Sequence, residues 1–249
     1  MNINQLISRY LRLLARYIEH PKALRVKFSG GIPGTFAQFD QPWFRNLNIQ
    51  SVVDVGANEG QFSHTMRSLA PNALIYAFEP IPDCFNRLKN RFARDKRFVL
   101  FNCALSDRSG KEVFNIASGD TGASSLLAAG EAQKRFFPQT LQTTAISVDV
   151  KTLDEVMTNE NLPRPLMVKV DVQGLEYQVL KGGMRTLQKA DLVLLELSHV
   201  QFYEGQKLFN EVCELLREVG FSLADCFNMM TSPNTGEPLQ GDFLFARIR

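Results

Sequence analysis

One stretch constrains this chain more than any other. Residues 52–62 read VVDVGANEGQF: an apolar β-branched run, an aspartate, two glycines four residues apart, then the start of a helical pattern. A run of that kind forms a buried strand, and the glycines let the backbone turn sharply into a helix whose free N–H groups and positive end favour an anionic group. Such a strand–turn–helix opens an open α/β sheet, where ligands gather beyond the carboxyl ends of the strands.

The rest of the chain keeps that rhythm. Apolar runs at 74–78, 98–105, 166–172 and 192–197 predict strands, and helical patterns at 61–69, 82–92, 175–187 and 206–219 fall between them. Two last strands, 221–226 and 243–248, flank the turn-rich 232–238 and are expected to pair antiparallel. Alternation of this sort gives right-handed crossovers. The fold expected is a doubly wound Rossmann-like sheet, mostly parallel, ending in an antiparallel hairpin strand. Segments 112–116 and 144–148 alternate as strands around a small, polar stretch, and 153–157 reads as a short helix.

Residues 1–42 are expected to stand apart from the domain of 43–249, as an N-terminal helix (1–20) and a connecting loop rich in Gly and Pro. Arg9, Arg12 and Arg16 interrupt the apolar positions of that helix, which excludes a signal-peptide core or a membrane span. The plain expectation is a helix packed on the domain or on another subunit; its basic polar face also admits contact with a membrane surface. A net charge of +2 gives no electrostatic reason to expect a nucleic-acid partner. The four cysteines form no C-x-x-C pair, so reduced thiols in a cytoplasmic protein are expected, and no metal site.

The glycine spacing is D-x-G-x-N-x-G, not the dinucleotide G-x-G-x-x-G. Asp54 repels a phosphate and suits a cationic or hydrogen-bond-donating ligand. S-adenosylmethionine offers an amino group, a carboxylate and a sulfonium. On this reading Asp54, Gly56, Asn58 and Gly60 form the turn around such a ligand. Glu79, followed by Pro80 at the end of the second strand, accepts the ribose hydroxyls, and Cys103 and Ala104 border an adenine ring.

These stretches resemble the FkbM family of S-adenosylmethionine-dependent methyltransferases. The likeness runs through 53–62, 77–80, 102–107, Ser124–Leu126, 168–176, 179–183 and 241–245. It implies O-methylation of a hydroxyl on a sugar, glycan or secondary metabolite, with a small-molecule or glycan acceptor. Asp171, at the end of the fourth strand, is the first candidate for acceptor positioning or base, and His199 for base, since its ordinary pKa suits proton transfer. Ser124, Ser125, Glu176 and Glu196 are candidate acceptor contacts. The family often carries Glu where Gln173 stands here. Asp171 and Glu196 together could share a divalent cation. A nicotinamide-dependent oxidoreductase and a non-catalytic protein that keeps the fold are the competing readings; a homo-oligomer is compatible with either.

Overall fold

The computed structural model of the chain describes residues 11, 15 and 17–248. Ten strands run in chain order: β1 (Ser51–Val55), β2 (Leu74–Phe78), β3 (Phe98–Phe101), β4 (Ala104–Leu105), β5 (Gly110–Ala117), β6 (Thr143–Lys151), β7 (Leu166–Val170), β8 (Leu192–Ser198), β9 (Phe221–Thr231) and β10 (Pro238–Arg247). Seven of them form one sheet in the order β3-β2-β1-β7-β8-β10-β9. β1 pairs parallel with both β2 and β7, and β10 alone runs against the direction of the other six strands. This is the doubly wound, mostly parallel sheet with its antiparallel C-terminal hairpin.

The central strands are largely apolar because both faces are covered. Residue parity decides the face. Val53, Val55, Val168, Val170, Val193, Leu195 and Leu197 pack on one side with helices Glu176–Lys181 and Phe209–Glu218. Val52, Met167, Leu192, Leu194 and Leu244 pack on the other with helix Gln61–Leu69 and with Phe39 and Phe44. Along a strand successive side chains alternate sides. The second set therefore carries Asp54, Lys169, Glu196 and Asp242 to the same face, toward the carboxyl ends of the strands.

Three expectations are corrected. The segment 21–42 is helical, not a loop: Pro21–Phe28 and Pro33–Phe39 are helices, and Pro42–Leu47 follows. Each begins with a proline at its first turn, where the missing N–H costs nothing and the fixed φ suits a helix. Ala23, Val26 and Phe36 bury themselves against Leu69. The single strand expected over 98–105 divides at Asn102, whose side-chain amide donates to the carbonyls of Glu79 (2.8 Å) and Pro80 (3.3 Å). Its second part, β4, joins β6 and β5 in a separate three-stranded sheet. The helix expected over 175–187 breaks at Gly182 and Gly183. A Cβ at Gly182 would lie 2.1 Å from the Ser106 carbonyl oxygen, so close chain approach requires glycine there. The N-terminal helix over residues 1–20 falls mostly outside the described residues.

Candidate active site

A cleft of about 390 Å³ opens over the carboxyl ends of β1, β2, β7 and β8, within the size range of small-molecule sites. One end is lined by Gly56, Ala57, Asn58, Glu79, Pro80, Ile81, Cys103 and Ala104, the other by Lys169, Asp171, Gln173, Glu196, Asn228 and Asp242. Phe114, Thr121, Ser124 and Leu126, from β5 and the turn after it, cover it from the small sheet.

At the first end the turn after β1 is held rigidly. Gly56 has φ +75°, and a Cβ on it would sit 1.9 Å from the Asp171 carbonyl oxygen. Only glycine permits that approach of the two strand ends. Asn58 is also left-handed, at φ 49°. Its N–H donates to Glu79 Oε2 at 2.7 Å, and the Ile81 N–H donates to Glu79 Oε1 at 2.7 Å. Glu79 is thus fixed at the tip of β2 with one bond on each oxygen, leaving lone pairs on both for a ligand. Burial pushes its pKa up to about 7, against the lowering effect of those two N–H groups and Lys169.

Two turn residues are placed differently from the expectation. Asp54 does not line the cleft. It is fully buried, accepts from the Ser63 hydroxyl at 2.6 Å and faces Lys169 Nζ at 3.3 Å. The cation its position calls for is supplied by the protein. Gly60, at φ +83°, makes room for Leu88 rather than for a ligand: a Cβ there would meet Leu88 Cδ1 at 2.3 Å.

The second end is a polar network that sequence reasoning only partly named. Lys169 lies opposite Asp54 in the β1–β7 register. Its ammonium donates to the carbonyls of Gly56 (2.9 Å) and Val55 (3.3 Å) and lies 3.6 Å from Asp171 Oδ2. Burial opposes its charge, but Asp54 and Asp171 outweigh that and hold its pKa above the ordinary lysine value. Gln173, at φ 57°, donates from Nε2 to Asp171 Oδ1 and to Glu196 Oε2, both at 2.8 Å. Its Oε1 lies 3.0 Å from the Tyr203 hydroxyl, which also lies 3.1 Å from the Ala123 carbonyl; carboxylate oxygens accept, so the amide nitrogen is the end that faces Asp171 and Glu196. The amide nitrogen stands where a shared cation would bridge Asp171 and Glu196. Among the described residues no three His, Cys, Asp or Glu side chains are placed to hold a metal ion. Burial, then Asp171 and Asp242, raise the pKa of Glu196 well above the carboxylate range. Asp242 sits opposite it in the β8–β10 register, its pKa pushed up to about 6 by burial.

His199 is not in the cleft. It follows Leu195 and Leu197 by parity, and its ring packs on Phe209 (5.0 Å) and Phe243 (5.8 Å) on the opposite face of the sheet. Glu176 is buried and caps the turn before its own helix, accepting from the N–H groups of Val172 (3.0 Å) and Gly174 (3.1 Å), so it is not an acceptor contact. Ser125 is buried with its hydroxyl spent on the Gln173 carbonyl (2.7 Å) and the Leu127 N–H (3.0 Å). Ser124 lines the cleft, but its hydroxyl accepts from the Ala117 N–H at 3.0 Å. Both serines fasten the covering turn. Lys169 had a readable signal: a lysine inside the apolar run LMVKV can be buried only against opposite charge.

The Methyltransferase FkbM domain matches residues 54–223, two thirds of the chain. This chain belongs to the FkbM methyltransferase family. The 2-O-methyltransferase NoeI of Sinorhizobium fredii is 29% identical over 170 residues, covering 66% of this chain and 70% of its own. The hexuronic acid methyltransferase AglP of Haloferax volcanii is 31% identical over 178 residues, covering 68% and 67%. Methyltransferase sdnD of Sordaria araneosa is 26% identical over 213 residues, covering 73% and 80%. As an FkbM methyltransferase the chain transfers methyl groups, and the oxidoreductase reading falls.

The raised carboxylates of this methyltransferase set a sign for its stability. Glu79 and Glu176 titrate near 7 and Asp242 near 6 when folded, against about 4 when unfolded. The folded state therefore binds more protons between those values, and stability is lost as pH rises through them. The ligand-free protein is expected to melt several degrees higher at about pH 5 than at about pH 7.5, as followed by calorimetry. A melting temperature that rises over that interval would contradict the buried placement of these groups.

Proposed function

We propose that this methyltransferase uses S-adenosylmethionine and methylates a hydroxyl of a sugar or glycan. The observation that carries the donor is Glu79: a carboxylate pinned at the tip of the second strand, with one lone pair on each oxygen open to the cleft, matches a ribose diol. The chemistry of the lining fits the remainder. Ile81, Cys103, Ala104 and Phe114 make an apolar slot for a purine, while Asn58 and Pro80 border it. S-adenosylmethionine supplies an electrophilic methyl group on a sulfonium.

The chain's residues supply the rest. Lys169 and the glycine turn tie β1 to β7 and hold the cleft floor in place, so that reacting groups meet in fixed geometry. Asp171 orients the acceptor hydroxyl. Glu196, rather than His199, takes its proton: it lines the cleft beside Asp171, joined to it through the Gln173 amide, and burial raises its pKa and so its basicity, whereas the His199 ring lies on the far face. The name of AglP, a hexuronic acid methyltransferase, supports a sugar acceptor, and that of NoeI, a 2-O-methyltransferase, supports transfer to oxygen.

The test is a tritiated-methyl transfer assay from S-adenosylmethionine to a panel of free and lipid-linked glycosides, alongside thermal melts with S-adenosylhomocysteine and NAD. Stabilisation by S-adenosylhomocysteine alone is expected, with label passing to a sugar hydroxyl. Stabilisation by NAD alone would sink the donor assignment, and label on an amine would sink the acceptor.

A further inference from the structure

The helix Pro21–Phe28 has one face covered and one bare. Ala23 and Val26 turn inward onto Phe36 and Leu69. On the outer face Leu24 and Phe28, one turn apart, are 42% and 82% exposed, and Ile18 just ahead of the helix is 78% exposed. Lys22, Arg25 and Lys27 are exposed among them. In the sequence the positive charge is concentrated in the same stretch. Residues 1–28 hold Arg9, Arg12, Arg16, Lys22, Arg25 and Lys27 against the single acid Glu19, although the whole chain carries only +2, so the remainder is net acidic.

The bare face adjoins the cleft. Ile32, four residues past Phe28, lines it, and its N–H is anchored to the Thr65 hydroxyl at 2.8 Å. Arg91, which donates to the Glu59 carbonyl at 2.8 Å, lies against Gly30 in the intervening turn and extends the positive charge. A second copy of the chain would oppose this cationic face with its own, since a two-fold contact sets the same patch on both sides. Apolar side chains interleaved with cations instead match an anionic lipid surface, where the rings enter the headgroup boundary and the cations meet the phosphates.

We propose that this face docks the protein on anionic membranes, with Leu24 and Phe28 inserted and Lys22, Arg25 and Lys27 on the headgroups, which sets the cleft mouth beside the lipid surface. The docking does not depend on which methyl donor or acceptor the cleft takes.

The full chain, mixed with sucrose-loaded vesicles and sedimented, tests it. Vesicles with about 30% phosphatidylglycerol in phosphatidylcholine are expected to carry down at least about tenfold more protein than phosphatidylcholine alone, less so as salt rises. The double variant Leu24→Ser with Phe28→Ser is expected to lose about tenfold of that partition with an unchanged melting temperature. Val113→Ser, at a site 60% exposed on β5, serves as the control and keeps it. Equal sedimentation with both vesicle types, none with either, or a double variant that partitions like the parent would overturn the proposal. So would a dimer in sedimentation equilibrium that the double variant converts to monomer, since the face would then belong to a second copy.

Discussion

Glu79→Ala is expected to weaken binding of S-adenosylhomocysteine by on the order of 10²-fold or more in calorimetric titration. On the proposed donor each ribose hydroxyl would donate to a charged oxygen, and such bonds contribute about 1.5–3 kcal/mol apiece. Glu79→Gln does little better. Asn58 and Ile81 present N–H donors to the two oxygens, at 2.7 Å each, so an amide must turn its own NH2 toward one of them. The 2′-deoxy analogue of S-adenosylhomocysteine separates ribose recognition from mere anchoring of the turn: the parent should discriminate against it and Glu79→Ala should not. The carboxylate form is the one that accepts, and its pKa lies near 7 in the free protein. Affinity should therefore rise with pH from about 6 to about 8, and the variant should lose that slope. Parent-like affinity in Glu79→Ala would remove Glu79 from the donor site.

Much of the fold was legible in the sequence because parallel strands buried on both faces read as plain apolar runs. The helix over 61–69, the strand over 74–78 and the helix over 153–157 fall where the pattern placed them. The prolines at 21, 33 and 42 misled because the same residue punctuates loops and starts helices; only the packing of Val26 and Phe36 on Leu69 distinguishes the two. For the site, the glycine turn, Glu79 and Asp171 were readable from strand-end position. Lys169 left a signal as a cation inside an apolar run, but its partner lies in register, where Asp54 faces it across β1–β7 as Glu196 faces Asp242 across β8–β10; Gln173 gains its role only when the fold brings Asp171 and Glu196 to its amide. His199 was misassigned for want of the same information. It follows Glu196 by an odd number of residues, which puts it on the far face.

That parity bears on the largest rate effect. Asp171→Asn and Glu196→Gln are each expected to lower kcat by about 10²–10⁴, the span of a lost general base or its partner, while S-adenosylhomocysteine affinity stays within about threefold. The two should differ in pH dependence. Glu196 must be unprotonated to accept a proton, and burial with Asp171 and Asp242 nearby holds its pKa well above the ordinary carboxylate value. The rate of the parent should then climb as pH rises through that pKa, and Glu196→Gln should flatten the climb. Asp171→Asn should keep it but shift it to lower pH, since one of the negative charges that raise the Glu196 pKa is gone. Both variants retain the Gln173 amide between them, so a fall in rate cannot be blamed on loss of that link. His199→Ala, whose ring touches only Phe209 and Phe243 among aromatic neighbours, should turn over within about twofold of the parent. A parent-like rate in Glu196→Gln together with a collapse in His199→Ala would return the base to the histidine and reverse the reading of the sheet's two faces.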